Sequence, residues 1–353
     1  MPHPILRLHS SKMARSARFA ALSLALLCAV RYGPAQDTPL LSGGVGFFTS
    51  TNGGSTTYLP IIEPLLAAPI GSRLLIESRA ALLETFSPNG NGQPGYAHTH
   101  FVGLTYLEGD YFASPHATLV GGSFLLPFGT YNERLSPIWI SNFQDGPLIA
   151  SLGTMSSGTG VGGMLRGSAI SRPKYAIDYA TWFSARSGNT QFNSERSSGG
   201  RASLYLPESR VEIGISYDRL LQGTQENFYG AHVWWEPKNT AFRLRSEFAR
   251  GHHAQGYWVE ADYRTQAFGG LDSLIGRFEP VFRMQQTFRR DTIVSDGLPL
   301  VNTQRADFGF NYNLPHNTRI VTSYSRQFSS TGNRNIWETG IVYRFLFPTW
   351  KRK

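Results

Sequence analysis

Residues 241–264 read AFRLRSEFARGHHAQGYWVEADYR. Taken every second residue, the first half splits into Phe242, Leu244 and Phe248 against Arg243, Arg245 and Glu247. After the polar break GHHAQ, Tyr257, Val259, Ala261 and Tyr263 alternate with Trp258, Glu260, Asp262 and Arg264. A period of two belongs to a strand whose successive side chains point to opposite faces of a sheet. Two such strands joined by a polar break form an antiparallel pair with one apolar and one charged face. The fold turns on which solvent each face meets.

The same pattern recurs along the chain. YAIDYATWFSAR sets Tyr175, Ile177, Tyr179 and Phe183 against Asp178 and Arg186. RVEIGISYD sets Val211, Ile213, Ile215 and Tyr217 against Glu212, Ser216 and Asp218, and RADFGFNYN sets Phe308, Phe310 and Tyr312 against Asp307 and Asn311. The last strand, IWETGIVYRFLF (336–347), sets Trp337, Ile341, Tyr343, Phe345 and Phe347 against Glu338 and Arg344. In a soluble β-sandwich the charged faces would meet bulk water, where lysine is the usual choice, and edge strands would need protection. Here, after residue 35, lysine occurs only at 174, 238, 351 and 353. Aromatics also recur near strand ends (Tyr106, Phe112, Trp234, Trp337, Phe347), as an interfacial belt requires. With the apolar face in lipid, every backbone group must find a partner, so the sheet closes and the charged face lines a wet lumen. The fold class predicted is an all-β transmembrane antiparallel barrel.

The breaks between strands alternate in kind. Short ones carry turn chemistry: APIGS, SPHA, RPK, LPES, EPKN, GGLDS and LPHN. Longer polar ones lie between them: TSTNGGST, SPNGNGQPGY, 128–158, SGNTQFNSERSS, LQGTQEN, GHHAQ, DTIVSDGLPLVN and SSTGNRN. Fifteen connections predict 16 strands, with short periplasmic turns and longer external loops. Fourteen is the alternative, because Pro60 and Pro64 interrupt the second strand.

Residues 1–35 read as a secretory signal, with Lys12, Arg15 and Arg18 before the apolar run FAALSLALLCAV and Ala35 as a small cleavage residue. Export places the chain in a Gram-negative-type outer membrane, with 36–353 as one barrel domain. The signal takes with it Cys28, the only cysteine, so the remainder forms no disulfide. It also holds five of the 33 basic residues and none of the 24 acidic ones, which leaves a formal charge of about +4 and removes the case for nucleic-acid binding.

The longest break carries the most specific signal. GGSFLLPFGTYNERLSPIWI has PFG (127–129) after an apolar strand, then Asn132 and a Pro–aromatic stretch at 137–139, with a return strand GVGGMLRG (160–167). In these features the chain resembles the phosphate-selective porin O and P family. The resemblance implies a sixteen-stranded, homotrimeric porin for small hydrophilic or anionic solutes, whose third external loop folds into the lumen as a constriction. Loops of this length are usually functional or disordered, and this one carries Ile138, Trp139, Ile140, Phe143, Leu148 and Ile149 to pack on a wall. Phe128, Asn132, Glu133, Arg134, Trp139 and Asp145 are its constriction candidates. The aromatic last strand also looks like the signal read by barrel-assembly machinery, although six residues follow Phe347.

Pore-lining candidates are Arg79, Arg134, Arg166, Asp178, Arg186, Glu212, Arg243, Arg245, Glu247, Glu260, Asp262, Arg264, Arg283, Asp307, Glu338 and Arg344. Arg289, Arg305, Glu77, Glu108 and Asp110 share the same walls. Arginine rings favour anions, but most of these arginines are expected to pair with carboxylates, and the loop has no lysine. The expectation is at most a mild anion preference. No nucleophile–base set points to an enzyme. His98 and His100, on one face of a strand, lack a third metal ligand spaced nearby, and His252 and His253 fall in a loop, so no metal or cofactor is expected. The competing function is a non-conducting structural or adhesive barrel.

Overall fold

The computed structural model describes residues 39–348, apart from 91–92, 151–157, 224, 271 and 293–295. The signal read in 1–35 and the tail from 349 lie outside the described residues, as does part of the long break. The strands in chain order begin β1 (Leu40–Asn52), β2 (Ser55–Ile70), β3 (Leu74–Pro88), β4 (Tyr96–Ser114), β5 (Ala117–Leu125), β6 (Thr159–Ser171) and β7 (Ala176–Ala185). Two short strands, β8 (Ser187–Gly188) and β9 (Asn193–Ser194), form a separate ribbon. The sequence of long strands resumes with β10 (Ser197–Leu206), β11 (Val211–Leu220), β12 (Asn227–Trp235), β13 (Phe242–Arg250) and β14 (Ala254–Tyr263). It ends with β15 (Phe278–Arg289), β16 (Thr303–Leu314), β17 (Thr318–Ser329) and β18 (Arg334–Pro348).

The 16 long strands form one closed antiparallel barrel in chain order. Closure is made by β1 and β18, in register from Leu40↔Pro348 to Asn52↔Ile336. Pro60 and Pro64 do not break the barrel. They sit opposite Phe47 and Gly43 of β1, and the ladder from β2 to β3 skips both. Gly43 has φ +146°, and a Cβ there would lie 2.2 Å from the Glu63 carbonyl oxygen. Glycine is what lets β1 pass the proline-bearing strand.

Burial runs opposite to that of a soluble protein. Asp218, Asp307 and Glu338 are fully buried, while Ile215 is 66% and Trp337 59% exposed. Phe47, Leu82, Leu119, Ile213, Tyr229, Phe308 and Ile341 are likewise on the outside. So large an apolar surface is solvated by lipid rather than water. No helix among the described residues is long and apolar enough to cross a membrane; the strands do the crossing. Phe345 departs from the expected series. It is buried because it lies over Gly43 and stacks on Phe347 at 5.5 Å.

The expected sorting of connections by length holds only in part. Positions alternate as read, but TSTNGGST shrinks to a turn at Gly53–Gly54, whose φ values of +58° and +83° suit a two-residue hairpin. GHHAQ likewise becomes a tight connection at 251–253. Conversely, GGLDS lies within a longer connection, 264–277, that holds helical turns at Thr265–Phe268 and Ile275–Arg277. Strand extension consumed the polar residues in the first two cases.

The glycine at the seam gives a direct check. Gly43→Val is expected to lower the yield of heat-modifiable barrel on refolding into detergent, whereas Gly53→Ala, at an open turn, changes the yield far less. Equal yields for the two variants would contradict the role assigned to Gly43.

Candidate pore constriction

In the break between β5 and β6, residues 126–150 turn back into the barrel. The two ends of the break are stapled together. Leu126 N donates to the Gly158 carbonyl at 3.1 Å, and Asn132 Nδ2 donates to Leu126 O at 3.0 Å and Gly158 O at 2.8 Å. Asn132 therefore holds the loop's neck rather than facing the pore.

The PFG stretch docks on the β10–β13 wall. Phe128 is buried against Gly230, where a Cβ would come within 2.7 Å of its ring. Gly129 has φ +64° and carries no Cβ into the Glu247 carboxylate, which would be 2.2 Å away. Glu247 Oε2 then accepts from Thr130 N at 2.9 Å and Tyr131 N at 3.1 Å. Gly129 N donates to Ser216 Oγ at 3.1 Å, and Arg201 Nη1 donates to Gly129 O at 3.0 Å. A helical turn, Tyr131–Leu135, follows. Burial pushes the Tyr131 phenol up to about 12, so it stays neutral. From this turn Glu133 accepts from Arg201 at 2.7 Å, and Arg134 donates to Glu212 at 2.7 Å.

The chain then crosses the lumen. Ser136 accepts from Arg79 at 3.1 Å, and Ile138 N donates to Glu63 at 3.1 Å. Trp139 and Ile138 cover Gly44 of β1, where a Cβ would lie 2.8 and 3.0 Å from them. Arg319 of β17 donates to the Ser141 carbonyl. Asn142 Nδ2 donates to Glu260 at 3.0 Å and Asp262 at 3.2 Å. Phe143 lies under Arg283, 4.5 Å from guanidinium carbon to ring centre, a cation–π contact. The Asp145 carboxylate accepts from Arg305 at 3.0 Å and its carbonyl from Arg283 at 3.0 Å, while Leu148 N donates to Gln285 at 2.7 Å.

Behind these contacts stands a ladder of paired charges. Arg243 donates to Asp262 at 2.7 Å and to Glu279 at 2.5 Å, and Arg245 to Glu260 at 2.6 Å. Asp307 accepts from Arg283 at 2.8 Å, Arg305 at 2.5 Å and Gln285 at 2.6 Å. Glu338 accepts from Ser323 at 3.2 Å and lies 3.9 Å from Arg305. The loop seals this arc.

The opposite arc stays partly open. On β3, β6 and β7 the inward residues Glu77, Arg166 and Asp178 retain exposure. Arg166 bonds Asp110 at 2.6 Å and lies 3.6 Å from Glu108 and 3.9 Å from Glu133. Among the described residues Glu77 and Asp178 form no ion pair.

Most sequence-predicted lining residues are thus brought together on the inner wall. Two are not: Arg186 is exposed one residue beyond β7, and Arg264 lies just past β14 with its guanidinium 3.8 Å from Glu279. Alternation was extended past strand ends in these two cases. Arg344 is exposed near the short-turn end, where it lines one depression with Trp139 and Arg319. Wall residues missed by the sequence reading are Glu63, Arg201, Glu279, Gln285 and Arg319. Arg201 hides in SSGGRASLYL, whose small residues blur the alternation, and Glu63 lies between two prolines.

No family model matches the chain, and no curated protein matches it. Solved structures do match its fold. Low-pH OprB from Pseudomonas putida has a TM-score of 0.59 at 9% identity, covering 94% of this chain and 97% of that one. OmpF from Salmonella typhi, in complex with daunomycin, has 0.56 at 11%, covering 87% and 97%. An anion-selective porin from Comamonas acidovorans has 0.55 at 11%, covering 88% and 100%.

Removing one partner of a buried ion pair strands the other charge, at a cost of about 3–5 kcal/mol. Asp307→Ala should lower the unfolding free energy of the barrel by an amount in that range. Asp178→Asn, at a wall carboxylate with no ion pair, should change it by less than about 1 kcal/mol. Denaturant titration followed by tryptophan fluorescence compares the two.

Proposed function

We propose that the protein is an outer-membrane porin that passes small hydrophilic solutes by passive diffusion, through the part of the lumen its inward loop leaves open. One observation carries this: residues 126–150 bond along β10–β17 and reach Arg79 of β3, while Glu77, Arg166 and Asp178 on β3, β6 and β7 keep contact with solvent. A merely structural barrel has no need of an off-centre gap. The porin-like fold neighbours fit a channel rather than an enzyme. Export through the signal in 1–35, the barrel-assembly machinery and a homotrimer belong to the same proposal, on the strength of the resemblance alone.

The selectivity follows from unpaired charge, because a paired arginine presents little net field to a passing ion. Around the gap, Arg166 pairs with Asp110 and lies near Glu108, Arg201 pairs with Glu133 and Arg134 with Glu212, while Glu77 and Asp178 add carboxylates without ion pairs among the described residues. This balance argues against the mild anion preference expected from the number of arginines, and we assign a weak cation preference instead.

A non-conducting barrel is the second reading. The bridge of Glu133 between Arg201, at 2.7 Å, and Arg166, at 3.9 Å, favours it, since it spans loop and wall on the open side. Planar-bilayer recording separates the two. The refolded barrel is expected to give stepwise conductance, with a reversal potential under a salt gradient displaced slightly toward cations. Arg166→Gln should displace it further, and the double variant Glu77→Gln/Asp178→Asn should move it toward anions. A folded, heat-modifiable barrel without conductance would overturn the porin reading. An anion-displaced wild type would overturn only the selectivity.

A further inference from the structure

The sequence leaves His252 and His253 without a third ligand, and the fold supplies one. The tight connection 251–253 meets two neighbouring connections at the loop end of the barrel. His253 O accepts from Arg290 N at 2.9 Å and from Asp291 N at 3.4 Å, which holds Asp291 beside the histidines. One ligand atom from each of His252, His253 and Asp291 lies within 4.8 Å of the others. From the other side Glu226, at the foot of β12, comes 2.8 Å from His253 Nε2.

His253 is placed between two carboxylates, with Nε2 toward Glu226 and Nδ1 3.1 Å from Asp291 Oδ2. A neutral imidazole has one N–H and one lone pair. If Nε2–H donates to Glu226, the Nδ1 lone pair points at a carboxylate oxygen. Two lone pairs at that distance repel unless a cation lies between them, either a proton or a metal ion. A carboxylate that orients the far nitrogen of a histidine is also the usual outer partner of a metal-bound imidazole.

We propose that His252, His253 and Asp291 form a binding site for a borderline-soft divalent metal ion such as Zn2+, with Glu226 as the orienting partner of His253. Two imidazoles and a carboxylate suit zinc, nickel or copper better than magnesium or calcium, which prefer all-oxygen sites. Arg250 and Arg290 line the same depression, and their charge further disfavours a hard cation held by electrostatics alone. Tetrahedral zinc with bonds of about 2.0 Å needs its ligand atoms about 3.3 Å apart. The exposed His252 and Asp291 side chains reach that spacing by moving roughly 1 Å, which rotamer adjustment supplies. The bound ion ties connection 251–253 to Asp291 directly and to Glu226 through His253, joining three chain segments on one side of the rim.

Isothermal titration of ZnCl2 into the refolded barrel in detergent tests this, with MgCl2 as the control. One saturable zinc site per chain is expected and none for magnesium. His252→Ala and Asp291→Asn should each weaken binding at least about tenfold, and Glu226→Gln by about 10–100-fold, the usual cost of losing an outer partner. These are rim substitutions, and retained heat-modifiability checks that each variant is folded. Replacing His98 and His100 together, a second histidine pair near Glu84, should leave the zinc site intact. Absence of saturable zinc binding into the millimolar range would overturn the proposal. So would a site that survives His252→Ala/His253→Ala, or one that disappears with His98 and His100. Zinc binding is read without any channel measurement, so its failure and the failure of the porin reading are separate results.

Discussion

Hydrocarbon offers the peptide backbone no hydrogen-bond partner, and the architecture follows from that constraint. A strand that turns an apolar face to lipid must pair both its edges, so the sheet must close, and the β1–β18 ladder closes it. Closure then forces the charged half of every alternating strand into an enclosed space. A charge enclosed away from water needs an opposite charge or hydrogen-bond donors around it. The wall answers with side chains shared between strands, of which Asp307, serving Arg283, Arg305 and Gln285, is the clearest case.

The same wall explains why the long loop goes inward. Its backbone has polar groups that need partners, and the lumen presents carboxylates and guanidiniums with capacity to spare. Glu247 accepts two loop N–H groups, Glu63 a third, and Arg201, Arg283 and Arg319 bond loop carbonyls. Phe128, Phe143 and Ile149 are buried by the same docking. A loop of neutral small residues would lack both kinds of attachment. The charges that scaffold the barrel therefore also place the constriction, and this spends most of the arginines that composition alone would assign to an anion-attracting pore.

Much of this was legible in the sequence, because alternation is a local property and the lipid-facing side chains are large and unambiguous. The facing of Glu247, Glu260, Asp262 and Asp307 followed from it directly, and the strand number followed from the breaks between strands. What was not legible depends on distances between strands. Whether Arg283 is free or spent depends on Asp307, on a different strand. Whether GHHAQ is a loop or a turn depends on how far β13 and β14 extend, so both the connection and the partner of its histidines were misjudged. Arg186 and Arg264 were assigned to the wall because alternation does not announce where a strand stops.

Residues 126–150 lie against the inner wall, and in the proposed porin they set the opening of the lumen. Leu125 and Thr159 face each other across β5 and β6, so the segment between them can be replaced by a two-residue turn without altering the barrel's pairing. The most direct measurement is the single-channel conductance of that shortened variant beside the full-length protein. A several-fold rise in conductance, with loss of ion preference, is the result this account predicts. An unchanged conductance from a folded, shortened barrel would contradict it.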